Sequence, residues 1–240
     1  MPMRRIPTPL LVATLSLLTS APSIALEARA QTAGAKSTVA PAAAQTFGSD
    51  WILRALARPA PMRTAFVELR ASAMLKQPLR LSGEYRRPDE RTLVRDVRAP
   101  YKETTTIVSS GAGAGQATIA RDGKAPRTFS LSRVPELASL QSSFGALLAG
   151  DRAGLERAYR LTPAGTAQRW TLTLAPKDAA LAVRVRSIAL YGQGAELRCI
   201  ETQPTKGPLQ RTLLASAALA ATPQSDANAL ETLCRAGAKR

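Results

Sequence analysis

Short runs of alternating apolar and polar residues, each closed by a turn signal, constrain this chain more than any other feature. Leu79, Leu81, Gly83 and Tyr85 alternate with Arg80, Ser82, Glu84 and Arg86. Ala65, Val67, Leu69 and Ala71 alternate with Phe66, Glu68 and Arg70, and Trp170, Leu172 and Leu174 with Thr171 and Thr173. Successive side chains of a strand point to opposite faces, so period two with one polar set marks strands with one wet side. Further strands are expected over 92–98, 103–109, 116–121, 127–131, 183–191, 195–202 and 209–214. Pro88-Asp89-Glu90, Ala99-Pro100, Ser110-Gly-Ala-Gly113 and Asp122-Gly123 supply the turns between the early ones. Connections this short imply a meander of antiparallel strands rather than crossovers.

Helical spacing interrupts the pattern four times. Ser49 or Asp50 can cap a helix over 51–58, with Trp51, Leu53 or Ala55, and Leu56 on its apolar side; Pro59 and Pro61 stop it. Leu137, Leu140, Phe144, Leu147 and Leu148 recur at three- and four-residue steps, which predicts an amphipathic helix over 134–149 ending near Gly150. Asp151 can cap a short helix carrying Leu155, Ala158 and Tyr159, and Asp226 stands near the start of a terminal helix over 225–236. This order predicts an α+β fold: one curved antiparallel sheet of about 10–11 strands with helices against its concave face.

The first thirty residues read as a secretory signal peptide. Met1-Pro-Met-Arg-Arg5 is a basic start, Leu10–Leu18 an apolar run too short for a membrane span, and small residues follow. Cleavage is expected after Ala25 or Ala30, and no Cys at either position offers a lipid anchor. Residues 31–46 have no periodicity and read as a low-complexity linker. The folded domain is expected over 47–222, followed by the C-terminal helix in 223–240. The mature protein is therefore expected outside the cytoplasm. In such an oxidising compartment Cys199 and Cys234 are expected to form a disulfide rather than stand as buried free thiols.

The chain carries 33 basic and 17 acidic residues, a net charge of +16. That implies anionic partners, such as lipid headgroups or acidic protein surfaces. Arginines spread along the whole chain, with only 4% aromatic residues, do not make a nucleic-acid surface. The chain contains no histidine, which removes Ser-His-Asp triads, Cys-His pairs and histidine metal sites. Gly111-Ala-Gly-Ala-Gly115 lacks the third glycine of a dinucleotide fingerprint and reads as a hairpin loop. No enzyme, cofactor or metal is expected.

Seven stretches carry a family resemblance: Phe66-Val-Glu-Leu-Arg70, Leu75-Lys-Gln-Pro-Leu79, Ser82-Gly-Glu-Tyr-Arg-Arg-Pro88, Leu93-Val-Arg95, Pro135-Glu-Leu137, Ala146-Leu-Leu-Ala-Gly-Asp151 and Trp170-Thr-Leu-Thr-Leu-Ala-Pro176. In this order, across about residues 50–215, the chain resembles the LolA family, the periplasmic carriers of outer-membrane lipoproteins. It is most similar to the branch associated with acyltransferase, glycolipid or aryl-polyene pigment clusters. The Gly/Ala loop, the cysteine pair and the C-terminal helix depart from LolA itself.

The resemblance implies an unclosed β-barrel covered by helices, with a hydrophobic cavity for acyl chains of a lipoprotein or for lipid-like or polyene cargo. It implies an inner-membrane exporter and an outer-membrane acceptor as partners, and a monomer. It also gives Arg87, before Pro88, the role of the family arginine that helps hold the lid closed. Strand parity puts Arg87 on the face of Leu81, Gly83 and Tyr85; if the strand stops at Tyr85, Arg87 is a solvated turn residue. The expected cavity lining is Val67, Leu69, Leu81, Tyr85, Leu93, Trp170, Leu172 and Leu174. The expected lid is Leu137, Leu140, Phe144, Leu147 and Leu148. The same residues could instead form an ordinary filled core. A non-carrier interaction or assembly protein of a glycolipid or aryl-polyene export system is the other function such a fold would serve.

Overall fold

In the computed structural model the described residues are 46–70, 77–111, 114–133 and 144–236. The signal-peptide and linker readings, apart from Thr46, lie outside them, as do Leu137 and Leu140. Eleven antiparallel strands form one sheet: β1 Met62–Arg70, β2 Leu79–Arg87, β3 Thr92–Ala99, β4 Glu103–Gly111, β5 Ala114–Arg121, β6 Lys124–Ser130, β7 Tyr159–Thr166, β8 Arg169–Pro176, β9 Val185–Gln193, β10 Glu196–Pro204 and β11 Gln210–Leu214. Their order is β6-β5-β4-β3-β2-β1-β11-β10-β9-β8-β7. Each half is a meander of hairpins, and the first and last strands join the halves, Phe66 facing Leu214 and Val67 facing Leu213. The sheet is unclosed. Both edge strands contain a proline, Pro126 in β6 and Pro163 in β7. Proline cannot donate to a ladder, so these edges resist further pairing.

The helices are α1 Ser49–Leu56, a helical run over 144–149 (α2), α3 Arg152–Ala158, α4 Ala179–Ala182, α5 Ala215–Ala220 and α6 Ala227–Arg235. α1 starts two residues before its expected position, and Gly48 rather than Ser49 or Asp50 is its N-cap. It turns Ile52, Leu53 and Leu56 onto Trp170, Leu172, Leu174 and Leu190. The Asp151 and Asp226 caps form as expected: the two carboxylates accept from Gly154 N at 2.8 Å and Ala229 N at 2.7 Å. Tyr159, expected at the end of the α3 helix, instead begins β7. Asp178 caps α4 by accepting from Leu181 N at 2.8 Å.

α1 and α2 lie on the inner face of the sheet, and α5 and α6 on the outer face. Val67 and Leu213 face outward with Ala217, Ala218 and Leu230. Because Phe66 on the inner face is also buried, the central strand β1 is covered on both sides. Three devices hold α6 in place. Cys199 of β10 is bonded to Cys234, with Cα atoms 5.1 Å apart. The buried Glu201 accepts from Arg211 Nε at 2.8 Å and from Tyr191 Oη at 2.9 Å, and meets Arg235 at 3.3 Å. Arg211 also meets Glu231 of α6 at 3.3 Å. On the opposite face Gly192 lies under Trp170, whose Nε1 donates to Gly194 O at 2.8 Å. A Cβ at 192 would come within 1.9 Å of the indole.

Two stability changes follow. Opening the disulfide, which closes a 35-residue loop, by Cys199→Ala with Cys234→Ala costs about 3–4 kcal/mol, read in thermal unfolding as a melting point roughly 10 °C lower. Gly192→Ala displaces the indole and costs about 1–3 kcal/mol, measured by urea unfolding alongside a changed Trp fluorescence spectrum.

Candidate functional site

α1 fills the inner face over β8 and β9, but no helix among the described residues fills the inner face toward β1–β4. Between the two halves lies a cavity of about 860 Å³. Its wall is the inner face of β1–β4 and β9–β11, and its cover is Leu56 of α1 with Phe144, Leu147 and Leu148 of α2. Ile188, Leu190, Leu197, Ile200 and Leu214 make the wall of the C-terminal half apolar; Leu93 and Ile107 do so in the N-terminal half. The volume is in the range of small-molecule sites, about 300–1,000 Å³. Among the described residues no cluster of three or more Cys, Asp or Glu side chains could hold a metal.

The expected lining divides into four groups. Tyr85, Leu93, Phe144, Leu147 and Leu148 line the cavity. Trp170, Leu172 and Leu174 share its face but are packed under α1 as filled core. Leu81 is also on the inner face, buried with Phe66, Val97 and Leu214. Val67 and Leu69 require correction: they point to the outer face, where they pack near α5 and α6. The alternation in β1 is real, but its polar-looking set, Phe66, Glu68 and Arg70, is the one turned inward with Thr64. Thr64, Phe66 and Glu68 face Tyr85, Gly83 and Leu81 of β2, so strand pairing, absent from any single segment, fixes the choice.

Arg87 is the last residue of β2 and is buried, so the strand does not stop at Tyr85. Its guanidinium donates to Arg58 O at 2.8 Å, just beyond the C-terminal end of α1, and pairs with Glu90. It therefore ties the end of β2 to the segment that leads from α1 into β1. Arg58 itself donates to Ala55 O, Ala57 O and Ala195 O, at 2.9, 2.8 and 3.0 Å. The two arginines staple this segment between the β2 end and the β9–β10 hairpin, along the border of the cavity.

A polar row crosses the N-terminal half of the wall, while Gln193, Glu196, Thr202 and Thr212 add polar groups to the C-terminal half. Thr64, Tyr85, Arg95 and Thr105 are direct register partners on β1, β2, β3 and β4, and all four line the cavity. Arg95 Nη2 donates to Glu68 Oε2 at 2.6 Å, and its guanidinium stands 5.0 Å from the centre of the Phe66 ring. Glu68 is buried and also accepts from Arg70, at 2.7 Å. Burial alone would lower the Arg95 pKa, but the Glu68 carboxylate and the Tyr85 oxygen outweigh it and hold the guanidinium charged. Burial pushes the Tyr85 phenol above its ordinary value, with Arg95 opposing, so the hydroxyl stays protonated. Arg95 lies in one of the stretches that carry the family resemblance, yet nothing in its own strand marked it as a cavity residue.

Two solved structures are similar to the chain: the Pseudomonas aeruginosa MucA/MucB complex, at 18% identity and TM-score 0.31, and MucB in complex with MucA(peri), at 18% identity and TM-score 0.30. The aligned parts cover 69% and 76% of this chain, but only 55% and 59% of those chains. The chain thus spans little more than half their length. No curated protein matches the sequence significantly. The family described as outer membrane lipoprotein carrier protein LolA-like matches over residues 40–237, and the chain belongs to that family.

Proposed function

We propose that this chain is a periplasmic carrier that takes acyl chains of a lipoprotein, or a lipid-like or polyene cargo, into its cavity and moves them toward the outer membrane. One observation carries the reading: an apolar cavity of about 860 Å³ remains open in the middle of the inner face. A fold that needed only stability would cover these apolar side chains, because apolar area left in contact with water forgoes about 25 cal/mol per Å². Membership of the LolA-like family supports the same reading, as does a disulfide that suits an oxidising compartment. Cargo would pass from an inner-membrane exporter to an outer-membrane acceptor, with the protein acting as a monomer and without catalysis.

The cover over the cavity supplies the means of exchange. Leu147 and Leu148 lie on α2, whose end is tied to the segment after α1 by Arg58 N donating to Leu148 O at 2.9 Å. Arg87 holds the same residue from the other side through Arg58 O. Closing this cover over an empty cavity competes with cargo and keeps affinity moderate. Arg87 favours the closed, unloaded state.

Purification from the periplasm, followed by native mass spectrometry and organic extraction, is expected to yield a bound lipid, acyl chain or polyene. A clean apo mass together with no uptake of a fluorescent fatty acid would replace the carrier by the interaction-protein function. Arg87→Leu removes the staple and leaves Arg58 O without its buried donor, at a cost of about 1–3 kcal/mol. The variant is expected to load the fluorescent fatty acid and to release it several-fold more slowly in stopped-flow displacement; an unchanged release rate would remove Arg87 from the mechanism.

A further inference from the structure

A cavity built only for hydrocarbon has no use for a guanidinium. Yet Arg95 stands in its wall, flanked in register by Thr64, Tyr85 and Thr105. Among the described residues neither the Thr64 nor the Thr105 hydroxyl has a hydrogen-bond partner. Arg95 gives part of its donor set to Glu68 and Tyr85, but a guanidinium has five N–H donors in a fork that matches carboxylate and phosphate oxygens. The charge balance points the same way. Glu68 is shared between Arg70 and Arg95, so the trio carries a net charge of +1. The acidic residue among the described lining residues is Glu196, on β10, four strands away from Arg95 in the sheet order. Its carboxylate accepts from the Ser216 hydroxyl.

Polar groups placed in this way fix the orientation of a ligand in an apolar site. We propose that the cavity takes a single-tailed anionic amphiphile, whose carboxylate or phosphate group lies against Arg95, Thr64 and Thr105. The tail then runs over Leu214 and Ile200 toward Leu190 beneath α2, past Thr212 and Thr202, to where Leu147, Leu148, Ile188 and Leu190 gather the apolar side chains of the cavity. The neutral Tyr85 hydroxyl stands in the same row as a further donor. This assignment rests on the carrier reading and narrows it from any acyl chain to one with an acidic head.

The full-length mature protein is titrated calorimetrically with three probes of equal chain length: dodecanoate, dodecyl phosphate and dodecan-1-ol. At least one anionic probe is expected to bind about tenfold or more tighter than the alcohol, the scale of a hydrogen bond to a charged group. A preference for dodecanoate identifies a free fatty acid as the source of the head, and a preference for dodecyl phosphate a phospholipid-type head. Arg95→Gln is expected to weaken the anions and so bring anion and alcohol to within about twofold of each other. Should Arg95→Gln fail to fold with Glu68 left unpaired, the pair Glu68→Gln with Arg95→Gln removes both charges together. The near-isosteric Thr105→Val keeps them and is expected to weaken only the anions, several-fold. Equal affinity for all three probes would overturn the acidic-head assignment and leave the carrier reading standing. Binding of none of them would overturn both.

Discussion

The pairing of the first strand with the last is the interaction on which the remainder of this structure depends. β1 and β11 contribute one short ladder, four register pairs from Phe66–Leu214 to Leu69–Arg211. Without it the chain would be two hairpin meanders, each with an extra edge and neither long enough to curve around a cavity. Contacts so distant in sequence are slow to form because loop closure must precede them. The sequence around the ladder is correspondingly well buried. Phe66 and Leu214 are packed inside, Val67 and Leu213 outside, and α5 and α6 seal the outer side. The disulfide joins α6 to the strand next to this ladder, and the Glu201 cluster joins it to β11 itself. The C-terminal helix thus acts as a clasp over the seam.

That clasp makes an open cavity tolerable. In the C-terminal half α1 supplies Ile52, Leu53 and Leu56 to the inner face, and the result is an ordinary dense core around Trp170 and Leu172. In the N-terminal half apolar burial falls to small clusters, Phe66 with Leu81 and Val97, and Ile107 with Ala117 and Leu131. Among the described residues the packing is therefore asymmetric: one half of the sheet is a conventional packed layer, and the other carries less inner-face packing. Ion pairs across the polar surfaces, such as Arg86 with Asp96 and Arg98 with Glu84, link β2 to β3 on the outer face of that second half. Exposed pairs of this kind contribute little each, about 0–1 kcal/mol. Cooperative stability thus resides mainly in the seam and the packed half.

Most of the architecture could be read from local pattern. The hairpins of the N-terminal half and the caps at Asp151 and Asp226 each announce themselves within a few residues, and the two cysteines of the chain leave one possible pairing. What could not be read had no local signal. β7 contains Pro163 and Gly165 and is largely exposed, so its strand character comes from pairing with β8. α5 is almost all alanine, with no polar period to declare a face. The face of β1 was ambiguous for a different reason. A strand buried on both sides carries apolar residues at both parities, and Val67 with Leu69 looks as good as Phe66. Only the register against β2 places Thr64, Phe66 and Glu68 with Tyr85 on the cavity side. The site consequently emerged in part: Tyr85, Leu93 and the leucines of α2 were legible, while Thr64, Arg95 and Thr105 became a row only once four strands were laid side by side.

The same row bears on how such a cavity could release what it holds. Burial of each methylene contributes about 0.8 kcal/mol, so roughly a dozen carbons in a wholly apolar cavity would give about 10 kcal/mol before the cost of association. A carrier gains nothing from a ligand it cannot surrender. Arg95 and the threonines are solvated when the cavity is open, and a ligand without a matching head must strip that solvation without replacing it. Such a ligand is penalised, whereas an acidic head restores the lost hydrogen bonds. Buried polar groups in the wall therefore lower the affinity for plain hydrocarbon more than for a headed chain. They separate selectivity from tightness, in the way that a site built to hydrogen-bond one group discriminates against ligands lacking it. In the proposed carrier the Glu68 carboxylate, by occupying part of the Arg95 donor fork, would keep the pull on an anion partial and so favour release.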